Sequence, residues 1–265
     1  MAAIYVGIGG WTFEPWRGTF YPAGLPQAQE LAYASRHLTS IEINGTFYGS
    51  QKPASFIKWR EETPDGFVFS LKGPRFATNR RDLAGAAEPI ARFLGTGVLE
   101  LGPKLGPILW QFPPTRQFDP DAMRPFLDCL PPEHAGVALR HVIEARHPSF
   151  ANPIWMDMLR HAGVAHAIVE SDKHVLQADV TAPFIYARLE RNSLTETEGY
   201  ASAALDQWAD RFRRWSNGQP VEDLPAAGPP NGETKPRDCF VYFISGDKVR
   251  APAAAMAMLD RLGRP

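Results

Sequence analysis

The sequence has little cysteine, little excess charge and no long apolar run. Its 265 residues include two cysteines, Cys129 and Cys239, each in an apolar stretch typical of buried free thiols in a reducing compartment. Lysine and arginine number 28 against 29 aspartates and glutamates, a formal net charge of -1, which disfavours a nucleic-acid partner. The start lacks a basic and apolar leader, and no run reaches membrane-spanning length. We therefore expect a cytoplasmic protein with no membrane partner, and the oligomeric state is left open.

Several catalytic and cofactor motifs are also missing. There is no P-loop, no G-x-S-x-G, no H-E-x-x-H and no paired Cys or His ligands at short spacing. Gly7-Ile8-Gly9-Gly10 lacks the spacing of a dinucleotide-binding loop. We predict no cofactor and assign no metal ligand. The basic clusters Arg80-Arg81 and Arg211, Arg213 and Arg214 are interpreted as solvated faces of predicted helices.

Short β-rich runs alternate with helical patterns along most of the chain, which indicates βα units on a parallel sheet. The predicted strands are Ile4–Gly9, Ser40–Asn44, Phe67–Lys72, Pro107–Phe112, His141–Arg146, His166–Ser171, Phe184–Glu190 and Cys239–Ser245. Eight strands close a barrel, and a length of about 250 residues is usual for one. We predict an α/β fold, a single (β/α)₈ TIM-type barrel over residues 1–265.

Two segments depart from this repeat. Asp172 to Pro183 is too short and irregular for a full helix, so the sixth βα unit is predicted to be degenerate. Gly218 to Arg237 carries five prolines and few large apolar residues, and we expect an exposed loop over 218–237.

Ordered motifs along nearly the whole chain resemble the domain-of-unknown-function 72 family, also called YecE-like. They include Gly9-Gly10-Trp11, Phe20-Tyr21-Pro22, Ile41 to Tyr48, Thr63-Pro64, Leu105 to Pro113, Glu144 to His147, and Thr181 to Leu189. The resemblance implies a barrel fold and supplies no reaction. The sequence departs from the expected family pattern at Asn79, where a histidine is usual, at Glu190 and at Ser245.

Polar residues stand near the ends of most predicted strands. Reactive sites of such barrels lie at the carboxyl ends of the strands, and residues two apart on a strand point the same way. The predicted catalytic residues are Glu42, Lys72 and Glu144. The predicted substrate-binding residues are Trp11, Asn44, Tyr48, Gln111, Arg146, His147, Asp172 and Arg188. Glu170 and Asp172 are less secure because the parity of their strand is ambiguous.

Three classes of function remain open for this pocket. The first is an enzyme acting on a small polar or anionic molecule, with Arg146 and Arg188 at the barrel mouth gripping the anion. Glu42, Glu144 or Lys72 would transfer protons, or Lys72 would form a Schiff base. The second is a divalent-metal-dependent hydrolase or isomerase with carboxylate ligands such as Glu170. The third is a non-catalytic module that binds a small ligand.

Overall fold

The computed structural model describes residues 1–229 and 232–263, and its eight barrel strands lie close to the predicted ones. They are β1 Ile4–Gly9, β2 Ser40–Ile43, β3 Val68–Lys72, β4 Leu105–Gln111, β5 His141–Glu144, β6 Ala165–Glu170, β7 Phe184–Leu189 and β8 Asp238–Phe243. Pro230 and Asn231 of the predicted loop, and Arg264 and Pro265 of the predicted domain, lie outside the described residues.

The strands pair in parallel in the order of the chain, and β8 closes the sheet onto β1. The registers place strand-end residues side by side, with Glu42 opposite Gly9 and Gln111 opposite Glu144. The chain is therefore an α/β protein with the predicted (β/α)₈ barrel. Parallel closure brings every carboxyl end to one rim, which is where the candidate site must be sought.

Helices cover the outside of this barrel. They are α1 Glu30–His37, α2 Gly45–Tyr48, α3 Pro53–Glu62, α4 Arg75–Thr78, α5 Ala87–Leu94, α6 Pro120–Asp128, α7 Pro153–Ala162, α8 Ser202–Ser216 and α9 Ala251–Leu262. Helix α7 shows how local sequence sets an element. The Asn152 side chain caps its start by accepting from the Ile154 amide at 2.9 Å, Pro153 occupies the first turn, and Gly163 ends it at φ 65°.

The sixth βα unit has no helix, as predicted. Residues 171–183 cross to β7 in irregular backbone. Asp179 in this crossing accepts hydrogen bonds from the amides of Ala227 and Gly228, both at 2.8 Å. Ala178 donates to the carbonyl of Pro225 at 2.8 Å. The proline-rich segment, most of whose described residues are exposed, is thus fastened to the barrel at these points.

Two separate apolar cores result from the alternation of side chains along the strands. One fills the barrel interior, with Val68, Leu109, Val142, Ala167 and Phe240 among its members. The larger one lies between the sheet and the helices and holds most of the buried aromatic residues. The tryptophan of β4, Trp110, belongs to this outer core. Successive residues of a strand point to opposite faces of the sheet. The polar strand-end residues that share a face with these interior apolar residues therefore also point into the barrel, toward one another.

Within the described residues, no helix combines the length and apolarity that a membrane crossing requires.

Candidate active site

Three ionised side chains meet at the top of the barrel interior. Arg188 at the end of β7 donates from Nε to Glu42 Oε2 and from Nη2 to Glu42 Oε1, both at 3.1 Å. Its Nη1 donates to Glu144 Oε2 on the far side. The exposed fractions of Glu42, Glu144 and Arg188 are 0%, 1% and 2%. One guanidinium therefore joins the carboxylates of β2 and β5 across the barrel.

Neighbouring strands supply further donors to both carboxylates. The Tyr186 hydroxyl on β7 donates to Glu42 Oε2 at 2.6 Å. The Gln111 amide at the end of β4 donates to Glu144 Oε1 at 2.8 Å, and Arg146 Nε donates to the same oxygen. Hydrogen bonds from charged donors hold a carboxylate more firmly than neutral ones, so both acids are fixed in orientation.

A third carboxylate completes the ion network. Glu190, just beyond β7, lies 3.4 Å from Arg188 Nη1 and 3.9 Å from Arg146 Nη2. The network thus contains the carboxylates of Glu42, Glu144 and Glu190 and the guanidinium groups of Arg146 and Arg188. Each of the three carboxylates accepts a hydrogen bond from an arginine, and a buried carboxylate needs such a charged partner to stay ionised.

The ion network shifts the pKa values of Glu144 and Arg188 in opposite directions. Burial by itself would raise the pKa of Glu144, but the charges of Arg188 and Arg146 outweigh burial and lower the pKa from 4.5 to about 2. Burial would lower the pKa of Arg188, yet Glu144 and Glu42 raise it well above its ordinary value. The Glu144 carboxylate therefore stays ionised at neutral pH and is unsuited to taking a proton from a substrate.

Lys72 at the end of β3 differs from every other charged group of this site. It is 7% exposed, and its Nζ lies 4.1 Å from the centre of the Phe47 ring. Among residues 1–229 and 232–263, no carboxylate lies within ion-pair distance of Nζ. Burial, assisted by the charge of Arg188 and opposed by Glu42 and Glu144, lowers its pKa from 10.5 to about 8. Lys72 is thus a buried amine that titrates near neutrality.

Below the charged layer lies a layer of buried hydroxyls that the sequence interpretation missed. The Ser40 and Tyr242 hydroxyl oxygens are 2.8 Å apart, and those of Ser70 and Tyr186 are 2.9 Å apart. A signal for it was present, because a hydroxyl precedes a charged residue by two positions on three strands. The pairs are Ser40 and Glu42, Ser70 and Lys72, and Tyr186 and Arg188. Same-face spacing predicts such layers.

The structure brings together Glu42, Lys72, Gln111, Glu144, Arg146 and Arg188, the strand-end residues of the predicted site. Arg188 is deeply buried, however, and not at the barrel mouth as we expected, and its donors already contact carboxylates. This geometry favours a positioning role over direct contact with a ligand. Arg146 is half-buried and keeps an accessible part.

The predicted site residues in loops are more dispersed. Asn44 stays close, with its Nδ2 3.4 Å from the Glu42 carbonyl oxygen. Tyr48 is 68% exposed and contacts Phe47 edge-on. Trp11 packs against Trp59, with ring centroids 5.2 Å apart, in the outer layer. None of these contacts tests a role in substrate binding, so those roles stay predictions.

The remaining loop residues have local partners. His147 Nδ1 accepts from the Ser149 amide at 3.2 Å and caps a short 3₁₀ turn. The Asp172 side chain is 80% exposed and pairs with Arg191 Nε at 2.8 Å. Glu170 lies on the face of β6 opposite to the inward alanines and accepts from the Tyr200 hydroxyl. The ambiguous parity of that strand is resolved, with Glu170 outside the interior network.

No group of three or more His, Cys, Asp or Glu side chains in the described part of the chain is arranged to hold a metal ion.

Comparison with known proteins gives a family match over almost the entire chain. A family model described as "Protein of unknown function DUF72" matches residues 5–265. The UPF0759 protein YecE of Escherichia coli K12 is 33% identical over 150 residues, which are 56% of this chain and 50% of YecE. The UPF0759 protein YunF of Bacillus subtilis is 28% identical over 116 residues, 42% of this chain and 40% of YunF. These matches span about half the length of the curated relatives.

A crystal structure of a DUF72 family protein from Thermotoga maritima superposes with a TM-score of 0.75 at 21% identity. The superposition covers 98% of this chain and 99% of that one. At this identity the likeness establishes the fold only.

Proposed function

The chain belongs to the DUF72 family, and we propose that it is an enzyme that moves a proton on a small polar or anionic molecule at the carboxyl end of its barrel. Lys72 is the proposed proton acceptor and donor. The observation that carries this proposal is a buried lysine that has no carboxylate partner among the described residues and lies beside carboxylates that are already paired with arginine. Perturbed titration inside a cleft is typical of catalytic groups.

The ion network supports this role because it leaves Lys72 without a carboxylate partner in the described part of the chain. A carboxylate that contacted Nζ directly would keep the amine charged, and a charged amine cannot accept a proton. Here Arg188 engages both Glu42 and Glu144, so neither is left free to pair with the lysine. With a pKa of about 8, a usable fraction of Lys72 is neutral at physiological pH, and its conjugate acid can return the proton.

Each remaining residue then has a defined task. Glu42 and Glu144 set the potential around Nζ, and Arg188 positions both carboxylates. Arg146 and Gln111 orient Glu144, and the accessible part of Arg146 is available to a ligand. The apolar ring of Phe47 lies over the amine and excludes water from one side. This assignment narrows the proton-transfer role to Lys72.

A divalent-metal enzyme is less well supported by the same contacts. Hard cations take carboxylate oxygens as ligands. All four carboxylate oxygens of Glu42 and Glu144 accept hydrogen bonds from arginine here. A metal would have to displace these donors, which favours proton transfer by Lys72.

The proposed location is the cytoplasm. Cys129 and Cys239 are both free thiols, as expected in a reducing compartment. The bacterial origin of the curated relatives agrees with this.

Hydrogen–deuterium exchange at carbon tests the proposed reaction. Small carboxylates and phosphate esters with a C–H next to a carbonyl are incubated with the protein in D₂O, and proton NMR follows the loss of that C–H signal. We expect exchange with at least one compound, and none with Lys72→Met. Lys58→Met is the matched control, because Lys58 is an exposed lysine on α3 with 61% of its side chain accessible.

The outcomes separate the classes of function. Compounds that bind without exchange would identify a binding module and contradict the proposal. Exchange that survives in Lys72→Met, or that requires added Mg²⁺, would also contradict it. Borohydride added to the same mixtures detects a Schiff base, since the reduced adduct stays in the mass of Lys72.

A further inference from the structure

An open cleft lies between the segments that follow β3 and β4, at the same end of the barrel as the candidate active site. Its volume is about 610 Å³, a size usual for small-molecule sites. The lining residues are Asn79, Arg80, Arg81, Pro113, Thr115, Arg116, Gln117, Phe118, Asp119 and Ala122. Since β3 ends at Lys72 and β4 ends at Gln111, the cleft opens on the rim that carries the proposed chemistry.

The charge of this cleft is unbalanced. Its lining contains three arginines and one aspartate, and that aspartate, Asp119, caps α6 by accepting from the Asp121 amide at 3.0 Å. Within residues 1–229 and 232–263, no carboxylate lies within 4.0 Å of the side-chain nitrogens of Arg80, Arg81 or Arg116. The lining therefore carries a net positive charge, and none of its three guanidinium groups is paired with a carboxylate of the described residues.

Two of the three arginines, Arg80 and Arg116, are held in place by backbone carbonyls without being neutralised. Arg116 extends from the β4 segment and donates to the backbone carbonyls of Arg80 and Arg81 in the β3 segment, the latter at 3.5 Å. Arg80 Nε donates to the carbonyl of Asp82 at 2.6 Å. Carbonyl acceptors fix a guanidinium group and leave its full charge. The cleft is thus preformed, which lowers the entropic cost of binding a ligand.

We propose that this cleft binds the phosphate group of a small phosphorylated molecule whose reacting end extends to Lys72. The extension of the reacting end to Lys72 rests on the proposed function, whereas the phosphate site is inferred from the cleft residues alone. Guanidinium groups match the oxygens of a phosphate in bidentate fashion. Phe118 provides an apolar wall, and Asn79, Thr115 and Gln117 provide neutral hydrogen-bonding groups.

A small phosphorylated molecule fits the observations better than a nucleic acid. A polynucleotide needs a basic stripe along many phosphates, whereas this chain has a net charge of -1. Arg80 and Arg81 were predicted to lie on the solvated face of a helix. That prediction is wrong, because α4 ends at Thr78 and both arginines lie in the turn after it.

Isothermal titration tests the site with inorganic phosphate, glycerol 3-phosphate and a ten-nucleotide oligothymidylate, and with glycerol as a control. We expect both small phosphates to bind, and glycerol alone not to bind. Arg81→Ala is the informative variant, because Arg81 is exposed and its side chain makes no hydrogen bond within the described residues. Its dissociation constant for glycerol 3-phosphate should rise about tenfold, the loss of one charge-assisted contact.

The controls keep this test separate from the proposed chemistry. Arg92→Ala removes another exposed arginine, one that pairs with Glu88 on α5 outside the cleft, and should bind phosphate like the parent. Lys72→Met should also retain inorganic phosphate binding.

Equal affinities of the parent and Arg81→Ala, or no phosphate binding by the parent, would overturn the site. Tighter binding of the oligonucleotide than of glycerol 3-phosphate would replace the small molecule with a nucleic acid. Phosphate binding by the parent protein without carbon exchange of any compound would overturn the proposed function alone.

Discussion

Arginines occupy two neighbouring regions of this barrel under opposite conditions. In the interior, Arg188 is 2% exposed and donates to three carboxylates. In the cleft outside it, Arg80, Arg81 and Arg116 line an open volume and contact no carboxylate of the described chain. The same side chain is structural in one place and available in the other. Pairing and burial, and not residue type, decide which arginine can receive a ligand.

Removal of Arg188 from the barrel interior should have the largest effect on the free energy of unfolding. Arg188→Met would leave Glu42 and Glu144 buried opposite an apolar side chain, and an uncompensated buried charge costs about 3–5 kcal/mol. We expect the free energy of unfolding to fall by that amount. Urea denaturation followed by circular dichroism measures it through the midpoint at constant slope. A loss below about 1 kcal/mol would show that the network contributes little stability.

Acid should weaken the same network. Because the folded pKa of Glu144 is about 2 and its ordinary value is 4.5, the unfolded chain binds a proton between these pH values that the folded chain does not. Stability is therefore fully present above pH 4.5 and is lost as the pH falls toward 2, by about 3 kcal/mol from this group. Glu144→Gln should be less stable at pH 7 and should lose less on acidification. An identical acid slope in the parent and the variant would contradict the assignment.

Removal of Lys72 should raise the free energy of unfolding, whereas removal of Arg188 should lower it. At pH 7 the folded protein holds Lys72 largely charged in a site that disfavours the charge, so Lys72→Met should raise the free energy of unfolding by about 2–3 kcal/mol. Between pH 8 and 10.5 the parent gains stability, because the unfolded lysine binds a proton that the folded lysine has released. The difference between parent and variant should narrow over this window. A destabilised variant at pH 7 would indicate a structural lysine.

The smallest effect on stability is expected in the cleft. Arg81→Ala removes an exposed side chain without a partner in the described chain, so its free energy of unfolding should stay within about 0.5 kcal/mol of the parent. Thermal denaturation without added phosphate measures this. A large loss would mean that Arg81 stabilises the loops, and the contrast between the two regions would disappear.

The relative positions of site residues on strands were predictable from the sequence, and those of site residues in loops were not. Side chains two apart on a parallel strand share a face, so the ends of β2, β3, β5 and β7 had to meet once the barrel was recognised. Loop directions depend instead on distant contacts. Trp11 packs on Trp59, and Asp172 pairs with Arg191, and neither partner is evident from local sequence.

Electrostatic pairing was equally beyond the sequence. The alternation of side chains correctly placed Arg188 among the inward-facing strand-end residues. It did not predict how deeply Arg188 is buried, because that depends on the layer of Tyr186 and Ser70 beneath it. The cleft was missed because Arg80 and Arg81 were assigned to a helix that begins only at Ala87, after a 3₁₀ turn over Ala84–Ala86. Short irregular segments carry no periodicity from which a face can be deduced.

A lysine titration by NMR measures directly whether Lys72 is a buried amine that titrates near neutrality. Reductive methylation with ¹³C-formaldehyde labels each lysine, the Lys72→Met spectrum identifies the Lys72 signal, and the chemical shift is followed from pH 6 to 12. We expect a Lys72 pKa of about 8, below the ordinary lysine value of 10.5. A Lys72 signal that titrates near 10.5 would show that the amine is not perturbed.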